Sequence, residues 1–68
     1  MAFTEAQRRV WDAISIFQRE YGYTPSTREL GRFMGKGQKT VQTQIVGLIE
    51  RGGARRISDR AIELLPLD

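Results

Sequence analysis

Cysteine and histidine are both missing from this chain of 68 residues. Their absence removes disulfides, thiolate chemistry and the commonest zinc ligands together, so no metal and no cofactor is expected. Folding then rests on packing alone, worth roughly 3–5 kcal/mol in a chain this short. A catalytic apparatus would lack its usual base and its strongest nucleophile. Ser15, Ser26 and Ser58 each have a simpler role as helix, cap or turn residue, and an enzyme is not expected. Long apolar runs are lacking too. The longest aliphatic stretch, Ile45 to Ile49, falls far short of the ~20 residues of a spanning helix. The opening MAFTEAQRRV has no apolar signal segment. The expectation is one soluble domain over residues 1–68, cytoplasmic in keeping with the absence of cysteine, with no membrane partner.

Carboxylates are scarce in the second half. Up to Thr27, Arg8, Arg9 and Arg19 are balanced by Glu5, Asp12 and Glu20. From Leu30 to Arg60, Arg32, Lys36, Lys39, Arg51, Arg55, Arg56 and Arg60 face only Glu50 and Asp59. A neutral half beside a basic one points to a polyanionic partner, although a basic surface kept soluble by its charge explains the imbalance equally well. Aromatic side chains on the basic half are few, which disfavours single-stranded RNA, whose bases are bound largely by stacking.

The pattern that is present reads as three helices and a hairpin. Thr4-Glu5-Ala6-Gln7 is a capping box, followed by Val10, Ile14, Phe17 and Tyr21 as one helical stripe. Trp11 borders the stripe as core or core edge, with an indole N–H in need of a partner. Gly22 is a natural stop. Pro25 keeps the connector extended, and Ser26-Thr27-Arg28-Glu29 opens a second helix by the same capping device. Leu30, Phe33 and Met34 form its apolar side, Phe33 at the edge. Gly35-Lys36-Gly37 connects to a third helix, from about Gln38 to Arg51, that ends at Gly52-Gly53. ARRI and AIELL flank Ser58-Asp59-Arg60 as a small β-hairpin. A lone hairpin is marginal in water, so Ile57, Ile62 and Leu64 are expected to pack it on the helices. The fold class is mainly α with a small β-hairpin, a three-helix winged helix-turn-helix.

On a wheel of 3.6 residues per turn, Val41, Ile45 and Leu48 of the third helix point one way. Lys39, Thr40, Thr43 and Gly47 point roughly opposite, with Gln42 and Val46 at the margin. Gln can pair bidentately with adenine, Thr can donate or accept, and aliphatic groups meet the thymine methyl. Gly47 costs roughly 1 kcal/mol of helix propensity relative to Ala. Close approach of another surface accounts for that, and so does tight helix packing. Glu50 repels phosphate, which puts a reading face in the first two turns. A basic wing carrying Arg55, Arg56 and Arg60 lies next in sequence, and duplex DNA is the expected partner.

These residues also carry a resemblance to the N-terminal DNA-binding domain of the LexA repressor family, over nearly the whole chain. It rests on Thr4 with Gln7, Val10-Trp11-Asp12 and Ile14, Gly22 to Pro25, Ser26/Thr27, Glu29-Leu30 and Met34-Gly35. It continues through Val41, Gln44, Ile45, Leu48, Gly52, Arg55-Arg56 and Arg60-Ala61-Ile62. The resemblance implies a bacterial or phage-encoded, nucleoid-associated transcriptional repressor or regulator whose third helix reads operator DNA. On that basis Lys39, Thr40, Gln42 and Thr43 fall where the family contacts bases, while Arg28, Lys36, Arg55, Arg56 and Arg60 are expected on the phosphate backbone. Two features depart from the family. The residues at the base-reading positions are not those of typical members, so no operator carries over. The hinge and peptidase domain do not follow Asp68, so an excised domain or a stand-alone relative is expected.

The rival from another class is a protein-interaction module, an antirepressor or adaptor on the same fold, with Val46 and Phe33 as exposed anchors. For assembly, no heptad run or long apolar helix supplies a strong dimer interface. The expectation is a free monomer that forms a homodimer on DNA, with Asp59 and Arg60 at the hairpin tip in contact.

Overall fold

A computed structural model describes the protein over residues 3–58 and 61–67. The chain runs α1 (Glu5–Tyr21), α2 (Thr27–Met34), α3 (Gln38–Glu50), β1 (Ala54–Arg56) and β2 (Ile62–Leu64). Both expected capping boxes form. Thr4 Oγ1 accepts from the Gln7 N–H at 3.1 Å, and Gln7 Oε1 accepts from the Thr4 N–H at 3.0 Å. Ser26 and Glu29 repeat the exchange at 3.1 and 2.9 Å. Each pair satisfies two N–H groups that a helix start leaves unpaired. Gly22 and Gly35 close α1 and α2 in the left-handed region, at φ 80° and 70°.

Val10, Ala13, Ile14 and Phe17 of α1 are buried, as are Leu30 of α2, Val41, Ile45 and Leu48 of α3, and Ile62 of β2. Met34, Ile49 and Leu64 pack around this core. The stripe expected on α1 fails at its last member. Tyr21 is 59% exposed, because it is the last residue of the helix and lies beyond the core. Its ring rests against Phe17 with centroids 4.5 Å apart. Phe33 is also half exposed and meets Phe17 edge-on at 5.6 Å.

The corner between α2 and α3 depends on a glycine inside α2. The Lys36 N–H donates to the Gly31 carbonyl at 2.8 Å. A Cβ on Gly31 would lie 2.9 Å from the Lys36 carbonyl oxygen and 3.6 Å from the Gln38 nitrogen. Gly35, Lys36 and Gly37 supply the turn, but the missing side chain of Gly31 lets it close.

β1 and β2 pair antiparallel in the register Ala54↔Leu64, Arg55↔Glu63 and Arg56↔Ile62. Ile62 and Leu64 hold the hairpin on the helices as expected, whereas Ile57 does not: it is 63% exposed. Beyond β2 the chain returns over α1. The Leu65 N–H donates to the Gly53 carbonyl at 2.9 Å, and the Trp11 indole N–H donates to the Leu65 carbonyl at the same distance. Trp11 thus sits half-buried with its polar edge satisfied. Gly52 takes the left-handed φ of 84° that ends α3. Gly53 is there for a different reason: a Cβ would meet Leu48, Phe3 and Leu67 side chains at 2.7, 2.9 and 3.0 Å.

Replacing Gly31 by alanine is expected to lower the unfolding free energy by about 1–3 kcal/mol, the range of an overpacked core. At an unobstructed helical position the same change gains about 1 kcal/mol. A urea titration reads the difference, and an unchanged or higher midpoint contradicts the packing described.

Candidate nucleic-acid interface

The outward side of α3 is assembled by the burial of the other. With Val41, Ile45 and Leu48 in the core, Lys39, Gln42, Thr43 and Val46 line one shallow depression in the surface. Those positions follow the i, i+3/i+4, i+7 ridge of a helix. Thr43 Oγ1 donates to the Lys39 carbonyl at 3.0 Å, so its hydroxyl hydrogen is already used and its oxygen remains an acceptor. Of the four expected base-reading residues, Thr40 stands apart. It lines a separate small cleft with Arg9, Val10, Met34 and Lys36, on the side toward α1.

Gly47 does not belong to the outward face. A Cβ there would come within 2.7 Å of Gln7 Nε2, and Gln7 is the one buried polar residue among those described. Tight packing of α3 on α1 therefore accounts for this glycine, and close approach by a ligand is not needed. Gln38 was not anticipated at all. Its amide donates to Thr27 Oγ1 at 3.2 Å and ties the first turn of α3 to the first turn of α2. A glutamine opening a helix whose N-cap, Gly37, makes no side-chain bond was the available signal.

The expected phosphate contacts divide by position. Arg28, Lys36 and Arg56 are exposed, and their side chains form no hydrogen bond or ion pair among the described residues. Arg55 differs, because Glu63 lies directly opposite in the register and forms an ion pair with its guanidinium. Alternation along β1 sends Arg55 and Arg56 to opposite faces of the wing. Arg56 shares the face of Ala54 and Ile62 and borders a groove with Ser26, Thr27 and Ile45. Among the described residues the wing thus presents one unpaired arginine toward α2 and α3 and one paired with Glu63 away from them. Asp59 and Arg60, expected at the hairpin tip, lie outside the described residues.

The start of α2 borders the same groove. Tyr23 Oη donates to Glu29 Oε2 at 3.0 Å, while Glu29 Oε1 accepts from the Ser26 N–H. The Ser26 backbone donor first, and the Tyr23 phenol next, hold the Glu29 carboxyl below its usual range. In return, the hydrogen bond to Glu29 pushes the Tyr23 phenol above its own.

Three helices, a glycine-closed corner between α2 and α3, and a two-stranded wing that packs back on the helices define a winged helix-turn-helix domain. Residues 1–61 match the family model described as the LexA DNA binding domain. The chain belongs to that family. It is 40% identical over 63 residues to the LexA repressor of Syntrophomonas wolfei subsp. wolfei, a match covering 91% of this chain and 31% of that protein. It is 38% identical over 68 residues to the LexA repressors of Bifidobacterium adolescentis and Bacillus thuringiensis. Those matches cover 96% of this chain and 26% and 33% of the two relatives. The chain therefore spans a third or less of the curated relatives it matches.

The Tyr23–Glu29 pair gives this end of α2 a stability window in pH. The lowered carboxyl value of Glu29 stabilises the fold above the ordinary carboxylate range, and that contribution is lost as pH falls through the lowered value. The raised value of Tyr23 contributes below the usual phenol value of about 10 and is lost as pH rises through the raised one. Tyr23→Phe is expected to move the Glu29 titration part of the way back up, the Ser26 amide retaining the rest. A carboxyl-carbon NMR titration checks this; identical Glu29 curves in the two proteins count against the pairing.

Proposed function

We propose that residues 1–68 act as one sequence-specific double-stranded DNA-binding domain of a transcriptional repressor, with α3 in the major groove and the wing on the backbone. What supports this most is the outward face of α3. In a chain of the LexA DNA-binding family, that face gathers Lys39, Gln42 and Thr43 around one depression and carries no carboxylate before Glu50. Gln42 reads adenine, Lys39 reaches guanine acceptors or a phosphate, and Thr43 accepts through its oxygen. Thr40 stands at the margin of the contact, on the Lys36 side. Arg28, Lys36, Arg56 and Arg60 neutralise phosphates, and Arg55 joins them when it exchanges Glu63 for a phosphate. The role is non-catalytic, and the working compartment is the bacterial cytoplasm. Among the described residues no helix is long and apolar enough to cross a membrane, and no acidic or histidine cluster could hold a metal ion.

Selection of bound duplexes from a random pool is the direct test, with an enriched motif expected. With about five phosphates neutralised, log affinity falls against log salt with a slope near −4 to −5. Gln42→Ala is expected to cost about 1–3 kcal/mol on the selected duplex and little on random DNA. Arg56→Ala weakens both by similar factors, because phosphate contacts carry no sequence information. A flat salt response counts against the proposal and for a protein partner, and equal losses for Gln42→Ala on both duplexes count against α3 as the reading helix.

The same proposal makes the protein a monomer in solution that pairs on an inverted repeat, where the second copy gains from effective concentration. Sedimentation of the free chain, then titration of half-site and full-site duplexes, measures this. The expected result is a monomer that binds the full site more tightly than two independent half-sites. A tight dimer without DNA contradicts it.

A further inference from the structure

Val46 is the odd member of the α3 depression. It is 44% exposed, apolar, and set one turn beyond Gln42 and Thr43 on the ridge that begins at Lys39. A single exposed valine is ordinary, so exposure alone carries nothing. Its company does more. The side chains that line the depression with it are hydrogen-bonding or cationic, and the other exposed large aliphatic residues, Ile16 on α1 and Ile57 beyond β1, belong to other elements. Thr43 has its hydroxyl hydrogen bound to the Lys39 carbonyl, so beyond one acceptor oxygen it adds only a methyl group. A β-branched side chain on a helix holds essentially one χ1 rotamer, so Val46 presents its methyls without ordering cost. The site is therefore a small rigid apolar spot among hydrogen-bonding and cationic side chains, at the start of the third turn of α3 and one turn short of the exposed Glu50. In the major groove only thymine offers an apolar group, its 5-methyl, and it is flanked by acceptors and donors that suit Gln42 and Lys39.

We infer that Val46 is a specificity-determining residue that receives the 5-methyl group of a thymine in each half-site. This rests on α3 being the reading helix. An apolar protein anchor fits the spot less well, since a flat interface core excludes charge and Lys39 shares this depression.

The test replaces each thymine of the selected duplex in turn by deoxyuridine, which removes only the methyl group, and measures binding of the full chain by fluorescence anisotropy. At one thymine per half-site, deoxyuridine should weaken the unaltered protein about fourfold, the worth of one buried methyl. Val46→Ala should bind the thymine duplex about that much more weakly and no longer distinguish thymine from deoxyuridine there. Gln42→Ala should keep the distinction. An unchanged thermal melt for Val46→Ala, expected for an exposed position, excludes misfolding as the cause. The same thymine-to-deoxyuridine ratio in the unaltered protein and in Val46→Ala at every position overturns the inference. If Gln42→Ala still loses affinity selectively in that case, α3 remains the reading helix and only the role of Val46 falls. If no duplex is enriched at all, both fall.

Discussion

The approach of the Lys36 carbonyl to the bare Cα of Gly31 fixes the relation between α2 and α3. One hydrogen bond, from the Lys36 N–H to the Gly31 carbonyl, closes the corner at 2.8 Å, and no side chain fits between the two segments. Everything presented by α3 follows from that closure. It goes with Val41 and Ile45 packed in the core with α1 and α2 and Leu48 buried near Gly53, and leaves Lys39, Gln42, Thr43 and Val46 outside. The Gln38–Thr27 hydrogen bond links the first turns of α3 and α2, and Gly47 lets α3 pack closely on Gln7 of α1. Because Gln7 also closes the capping box at the start of α1, the first helix cap and the seat of the third helix share one side chain.

The wing is held by a different set of contacts, and that separates its role from that of α3. Two strands of three residues are too short to be stable alone. Their anchor is Ile62 and Leu64 on the core, with the close fit of Gly53 against Phe3, Leu48 and Leu67 and the Trp11 hydrogen bond to Leu65. The core thus reaches the wing through its base, and the distal part around Ile57 is left exposed. A wing fixed at its base and exposed around Ile57 suits contacts to a phosphate backbone, which position a protein and do not read sequence.

Charge in the sequence and charge available to a partner are not the same quantity. Along the chain, Arg55 and Arg56 look equivalent. In the hairpin, strand alternation sends them to opposite faces, and the register sets Glu63 against one of them alone. An exposed pair of this kind is worth only about 0–1 kcal/mol, so Glu63 screens Arg55 but holds it only weakly against a competing anion.

The sequence by itself determined the helices, their ends, the hairpin and the apolar face of α3. Those features depend on local chemistry: a hydroxyl with a carboxylate or amide three residues on, a glycine after the last turn, and apolar residues at helical spacing. It also carried the family resemblance and the residues on the outward side of α3. Only the tertiary structure decided which glycines serve the turn and which serve packing. Gly31, Gly47 and Gly53 answer to atoms contributed by Lys36, Gln7, Phe3 and Leu67, and no local pattern announces those neighbours. Tertiary contact also decided that Tyr21 and Ile57 lie outside the core and that Thr40 stands apart from Lys39, Gln42 and Thr43. Periodicity fixes the direction of a side chain around its own helix. Where the neighbouring helix ends, and so where the protein surface begins, is set by segments distant in sequence.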